Sequence, residues 1–263
     1  MRAGAVLVFA LGGCRGPATP PEPDTAESRS NASIPTGQVS DVAMIAIAGG
    51  PFVDSRPGEL HELAPFRLDV HEVTVAAYRA CVEAGACRAQ SSAWWRDEEQ
   101  QEPQCNFTAE VNPRDAHPMN CVDWTNAAAY CRWAGKRLPT EWEWEWAARG
   151  RDEERHYVWG ASEPDERVCW QREFIEAGTC EVASMATDVS RDGIRDLGGN
   201  VREWTDTPGE GFAEGEPGRL NRGGSWKTRE ESDLRVTDYY SYPVRVRLEE
   251  LGFRCAAGAD GSQ

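Results

Sequence analysis

Histidine is scarce in this chain: 4 in 263 residues, at positions 61, 71, 117 and 156, with no two close in sequence. That scatter excludes the helical His pairs of zinc proteases. The nine cysteines contain no C-x2-C pair, which argues against zinc ribbons and thioredoxin-like redox chemistry. Neither a G-x-S-x-G nucleophile elbow nor a phosphate loop occurs. Gly223-Gly224-Ser225 lacks strand–helix context and a base, so Ser225 reads as a turn residue. Cationic residues are in deficit, 28 Lys+Arg against 44 Asp+Glu, for a net charge of −16. Phosphate backbones and anionic membrane surfaces repel such a chain, so nucleic acid is excluded as a partner. The apolar run Ala3 to Leu11 is far shorter than the ~20 residues a membrane-crossing helix needs. Against these absences stand 11 Trp and 9 Cys, with 40% apolar and 27% charged residues, a globular composition. So many Trp imply a crowded core or an aromatic surface.

The N-terminus accounts for the odd cysteine. Met1-Arg2, the apolar run and Leu11-Gly12-Gly13-Cys14 have the parts of a secretory signal. The tetrad resembles a bacterial lipoprotein signal, in which the Cys is lipidated. Residues 1–14 then form the signal, and Cys14 is the membrane anchor. A plain signal peptide that happens to hold a Cys is the alternative. Eight cysteines are left for an oxidising compartment, where four disulfides are the default. Residues 15–40 are rich in Pro, Ser, Thr and Glu and nearly devoid of large apolar side chains. They cannot bury enough surface to offset their entropy and read as a disordered tether. The folded domain is expected over residues 41–258, with 259–263 as a tail.

Within it the patterns indicate a few helices among many short strands. Val42 to Val53 alternates as a strand and breaks at a Gly49-Gly50-Pro51 turn. Pro65 to Val73 is a second strand. Thr74 N-caps a short helix that ends at Gly85, and Asp123 or Thr125 opens another that ends at Gly135. Thr140 and Glu143 form a capping box for a third, stopped by Gly150. Trp142, Trp144 and Trp146 alternate as in a strand, but the cap and the glycine favour a buried helix.

The stretch from Cys131 through Trp133, Lys136-Arg137-Leu138-Pro139-Thr140-Glu141 and Glu143-Trp144-Glu145 to Ala147-Ala148-Arg149-Gly150 carries a resemblance. In order around it stand Glu72-Val73-Thr74, Val122-Asp123-Trp124, Tyr157-Val158-Trp159-Gly160, Gly199-Asn200-Val201 with Glu203-Trp204, Arg222-Gly223-Gly224-Ser225-Trp226, and Gly252-Phe253-Arg254-Cys255. Together, over residues 42 to 257, they resemble the formylglycine-generating enzyme (sulfatase-modifying factor) family. The resemblance implies one α+β domain, related to C-type lectins, with little regular secondary structure and disulfide bonds.

The sequence departs from the family where its oxidase carries two copper(I)-binding cysteines, just after the Arg-Gly-Gly-Ser-Trp motif. Thr228 and Asp233 stand there instead. Neither is a soft ligand, so copper is not expected and oxidase activity is expected to be lost. The scattered His also exclude the His triad of the related iron sulfoxide synthases. The resemblance implies a bridge from Cys131 to Cys255. Cys169 and Cys180 bracket an eleven-residue loop and are expected to pair, leaving Cys81, Cys87, Cys105 and Cys121 with three connectivities. It further implies a calcium site from Asp196 and Glu203 carboxylates with the carbonyls of Gly199 and Val201, a hard oxygen set. The structural alternative is a turn capped by Asp196 and an ion pair from Glu203 to an Arg. A second family calcium site meets Cys169 or Trp170 here, and Asp188 and Asp192 read as solvated turn residues. Trp94, Trp95, Tyr239 and Tyr240 are candidates for lining a ligand groove.

The expectation is therefore an exported, lipid-anchored, monomeric domain of the bacterial cell envelope that binds a peptide or glycan. An active oxidase acting on a sulfatase cysteine, and a purely structural envelope lipoprotein, are the alternatives.

Overall fold

The structure, a computed structural model, describes residues 42–56, 58–95, 98–100, 104–172 and 178–261, with backbone alone at 95 and 98–100. The signal with Cys14, the tether, Asp41 and residues 262–263 of the tail lie outside the described residues.

Three short helices form where caps and stops bracket them. Thr74 accepts the Ala77 N–H to open α1 (Val75–Glu83), and Asp123 accepts the Asn126 N–H to open α2 (Trp124–Trp133). At α3 (Glu141–Ala148) Thr140 and Glu143 satisfy each other's backbone donors, the expected capping box. Gly85, Gly135 and Gly150 follow the helices at φ +72°, +72° and +73°, a backbone region that opposes helix continuation and suits glycine. The Trp alternation of α3 resolves as burial on several sides. Trp144 is 1% exposed, Trp146 5%, and Trp142 stacks on His61 with ring centroids 4.4 Å apart. Each fully buried Trp removes roughly 200 Å² from water, about 5 kcal/mol of gross stabilisation.

The strands are short. β1 (Met44–Ile47), β4 (Phe66–Asp69) and β11 (Ala256–Gly258) form an antiparallel sheet with β4 in the centre. β7 (Arg202–Glu210), β8 (Pro217–Arg222), β9 (Tyr239–Pro243) and β10 (Leu251–Gly252) form a second, ordered β10-β7-β8-β9, in which only β10 and β7 run parallel. Two hairpins, β2 (Gly50–Val53) with β3 (Leu60–Leu63) and β5 (Ala93–Trp95) with β6 (Glu98–Gln100), complete the set. The turn expected at Gly49-Gly50-Pro51 is corrected: Gly50 and Pro51 lie inside β2, and the break falls at Ala48-Gly49. Proline is tolerated in a two-stranded hairpin because only one edge of the strand needs donors. The second expected strand shrinks to β4, because Val70 to Val73 leaves the sheet to approach α1.

Among the described residues two large apolar clusters hold the domain, with a small third one of Cys169, Cys180 and Trp226. One joins α1 and α2 to Phe253 and Trp204, and the other packs Trp144 and Trp146 of α3 against Ile47, Phe66 and Leu68. Four disulfides tie the loops: Cys81–Cys87, Cys105–Cys121, Cys131–Cys255 and Cys169–Cys180. The Cys131–Cys255 and Cys169–Cys180 pairings agree with expectation, and the other four cysteines take one of their three connectivities. Such a set indicates an oxidising compartment and hence an exported protein. No described helix is long and apolar enough to cross a membrane.

Candidate functional site

β8 delivers Arg222 to a turn that only glycine can make. Gly223 has φ +82°, and a Cβ there would lie 2.8 Å from the Leu197 carbonyl and 3.1 Å from the Trp144 ring. The chain then drops Trp226 inward, where its indole N–H donates to the Glu249 carbonyl at 3.0 Å. Ser225 and Thr228 close a tight turn: the Ser225 N–H donates to Thr228 Oγ1 at 2.9 Å, and the Thr228 N–H to the Ser225 carbonyl at 3.1 Å. Ser225 is thus a turn residue. A short helical turn over Glu231–Leu234 carries Asp233 back towards Thr228.

Thr228 and Asp233 share a cavity of about 250 Å³ with Tyr240, Tyr242, Arg202 and Lys227 among its walls. β9 lies at the sheet edge, so its alternate residues point to opposite faces. Tyr240 and Tyr242 stack at 6.1 Å on the cavity side. The Arg202 guanidinium sits 4.0 Å above the Tyr240 ring and is anchored by the Gly223 carbonyl at 2.7 Å and Asp238 at 3.2 Å. Burial pushes the Tyr242 phenol up to about 12 and also raises that of Tyr240, so both rings present neutral hydroxyls at neutral pH. All eight described cysteines are in disulfides, so no described thiol reaches this cavity.

The other aromatic candidates fall elsewhere. Tyr239 is 39% exposed on the opposite face of β9, with the guanidinium groups of Arg56 and Arg222 at 4.5 and 5.6 Å from its ring. Trp94 is half-buried against the helical core, with its backbone bridged to Arg247 and the Arg245 guanidinium 4.8 Å from its ring. Only the backbone of Trp95 is described, paired with Glu98. The stretch Asp238 to Tyr242 was readable as one that could line a pocket, and Tyr242 stands two positions after Tyr240, the strand period that puts both on one face. Sequence reading missed Arg202 and Lys227, which carry no signal until β7 and the Trp226 turn are brought together.

A second assembly lies beneath the Gly-Asn-Val-x-Glu-Trp segment. Glu72, Asp188, Asp196 and Glu203 are each 2% exposed or less, and Arg254 among them is fully buried. Asp196 and Asn200 adopt φ +62° and +66°, a conformation that Asp and Asn tolerate better than most residues. Asp188 accepts the N–H groups of Gly198 at 2.9 Å and Gly199 at 2.8 Å. Its reading as a solvated turn residue is therefore corrected: it is a buried carboxylate that orders the turn. Burial, then the charge of Asp196, push Asp188 up to about 7. Glu203 receives both Arg254 Nε and Nη2 at 2.7 Å and the Trp144 indole N–H at 2.8 Å. Asp196 accepts the Ala183 N–H and meets the Glu72 carboxyl. Burial, with Asp196 and Glu203 adding to it, holds Glu72 well above the usual carboxylate range. Among the described residues no three His, Cys, Asp or Glu side chains form a ready-made metal cage, so main-chain carbonyls and water would have to complete an ion's shell here.

A model of the sulfatase-modifying factor enzyme 1-like domain matches residues 26–259, so the chain belongs to that family. It is 32% identical to a formylglycine-generating enzyme of Streptomyces coelicolor, over 81% of this chain and 84% of that protein. It is 28% identical to the inactive C-alpha-formylglycine-generating enzyme 2 of Mus musculus, over 85% of this chain and 88% of that one. Among solved structures, CarF (TM-score 0.60, 18% identity, 82% of this chain and 97% of that chain) and PvdO from Pseudomonas aeruginosa (TM-score 0.60, 21% identity, 81% and 93%) share the fold. That fold is the α+β, C-type-lectin-like type expected.

Proposed function

We propose that this protein is an exported sulfatase-modifying-factor domain, lipid-anchored at Cys14 in a bacterial cell envelope, that binds a peptide or glycan and does not oxidise cysteine. The observation that carries the reading is the cavity beside Thr228 and Asp233. It is open, walled by Tyr240, Tyr242 and charged side chains, and among the described residues no thiol reaches it to hold copper(I). A hydroxyl and a carboxylate cannot exchange a disulfide with a substrate cysteine or present a soft ligand pair. Stacked phenols beside a guanidinium suit a sugar ring or an extended peptide. The inactive relative in mouse supports loss of activity, whereas the Streptomyces enzyme keeps oxidation as the outcome to be tested.

Calcium belongs to the same reading. The donors near Asp196 are hard oxygens, and three buried carboxyl groups, Glu72, Asp196 and Glu203, surround a single guanidinium. An ion there would brace the turn that leads into β7 and Arg202. Incubation of a cysteine-containing sulfatase peptide with the protein and copper, followed by mass spectrometry, tests the oxidase question: no mass change is expected, and a formylglycine product would overturn the reading. Glycan and peptide arrays probe the groove, with loss of signal expected for Y240A. Silence of the wild-type protein across them would favour a structural lipoprotein.

A further inference from the structure

We infer that the cavity beside the β2–β3 hairpin is a second ligand site, which takes a phosphate or sulfate monoester carried on a sugar-sized body. It shares no wall residue with the groove beside Thr228 and Asp233, and it stands whether or not that groove binds a ligand.

The cavity measures about 340 Å³, at the lower end of small-molecule sites and too large for a bare oxyanion. Four segments wall it: Val53 to Ser55 of the hairpin, Glu145 and Arg149 at the end of α3, Glu154 to His156, and Val236 with Thr237. The chain reaches it by a bent path. After Gly150 at φ +73°, Arg151 and Glu154 also take left-handed values, +64° and +51°, which cost energy at residues other than glycine. The bend returns the Arg155 N–H to the Arg149 carbonyl at 3.0 Å, and so sets two guanidinium groups on one cavity.

The two inner carboxylates of the wall are already partnered. Asp54 accepts the N–H groups of Arg56, Gly58 and Glu59 on one oxygen and meets His61 Nε2 at 2.9 Å with the other. Glu145 accepts from the Ser55 N–H and hydroxyl and from Arg222 Nη2 at 2.8 Å. The donors are less committed. Arg149 and Arg155 are each fixed by a main-chain carbonyl, that of Val53 at 2.9 Å and that of Val158 at 3.0 Å. Beyond a 3.6 Å approach of Arg149 to Glu145, their ionic partners stand at the rim: Glu154, with a side chain 78% exposed, and Glu153, 38% exposed. Exposed pairs of this kind contribute little and yield readily. Among the described residues nothing hydrogen-bonds the His156 imidazole or the Thr237 hydroxyl. Two anchored guanidinium forks, an imidazole and a hydroxyl thus meet at one cavity, and a tetrahedral oxyanion accepts from all of them. Glu154 competes with that anion for Arg149.

The test titrates the full chain at fixed ionic strength with sodium phosphate, sodium sulfate, glucose-6-phosphate and glucose-6-sulfate, with glucose as the neutral control, read by calorimetry. Saturable binding of a hexose monoester is expected, tighter than that of the bare anions, and none of glucose; the phosphate and sulfate arms tell which ester is preferred. R155A is expected to weaken binding at least about tenfold by removing one fork. E154Q is expected to strengthen it about two- to threefold, because the competing carboxylate is gone. Wild type that binds none of the four anions saturably would overturn the site, and equal affinity for ester and bare anion would overturn the sugar-sized body. Binding unchanged in R155A would place the anion elsewhere and overturn the assignment. Should R155A not fold, E154Q decides in its place: its side chain is at the surface, and an unchanged affinity there overturns the assignment equally.

Discussion

Removing the Cys131–Cys255 bridge tests how far the domain depends on closing its longest loop. The two cysteines are 124 residues apart and fully buried, and the bond fastens α2 to the approach of β11. In the chain-entropy account a loop of that length restricts the unfolded ensemble by about 5 kcal/mol, against about 2 kcal/mol for the six-residue separation of Cys81–Cys87. Cys81 and Cys87 are also buried, at 0% and 7% exposure, so Cys→Ala replacement loses similar packing at either bridge. The difference between the two double variants therefore reports loop closure. Backbone bonds between Arg137 and Ala256 (2.9 and 2.7 Å) keep β11 near the end of α2 without the sulfur bridge, so C131A/C255A retains a folded reference state. Urea unfolding followed by Trp fluorescence is expected to show a loss of about 5 kcal/mol for C131A/C255A, with a midpoint lower by about 10–20 °C in thermal melts. C81A/C87A is expected to lose less than half as much. Equal losses in the two variants would refute the entropic reasoning.

Other outcomes follow from single side chains. Burial pushes Asp69 up to about 6 despite Lys136 at 2.7 Å. The folded state then holds a proton that the unfolded chain releases near pH 4. Stability from this group accordingly declines as pH rises from about 4 to about 6, by roughly 3 kcal/mol in all. D69N should flatten that part of the stability–pH curve, and an unchanged slope would contradict the assignment. Gly49→Ala is expected to prevent folding or cost several kcal/mol, because its Cβ would sit 2.0 Å from the Leu63 carbonyl. Gly50→Ala, 3.4 Å from the Trp146 ring, should be tolerated far better, as urea midpoints will show. In the groove, Arg202→Leu is expected to weaken binding of any array-identified ligand by about 1–2 kcal/mol through loss of the Tyr240 stack, while α-helical circular dichroism stays the same.

Legibility differed by the range of the forces involved. The caps at Thr74, Asp123 and Thr140 and the glycine stops were readable, because a cap hydrogen bond spans three residues and a positive φ belongs to one. The Trp-Glu alternation of α3 misled by period alone and was settled by its capping box. Cys169–Cys180 followed from a short loop. Cys81–Cys87 and Cys105–Cys121 did not, since four cysteines admit several pairings until the chain is folded. At the groove, Tyr240 was readable as a candidate groove aromatic, whereas Trp94, proposed as half of a tandem aromatic pair, packs against the core instead.

Composition, caps and the ordered motifs were enough to establish the family, the exported disulfide-bonded character and the missing thiols at Thr228 and Asp233. Those properties reside in residue identity and short spacing. The partnership of Glu203 with Arg254, the contact of the Glu72 and Asp196 carboxyls, and the meeting of Tyr242 and Arg202 beside Thr228 depended on the folded chain. Each joins groups from segments distant in sequence, and whether a buried charge is satisfied depends on every neighbour that burial brings to it.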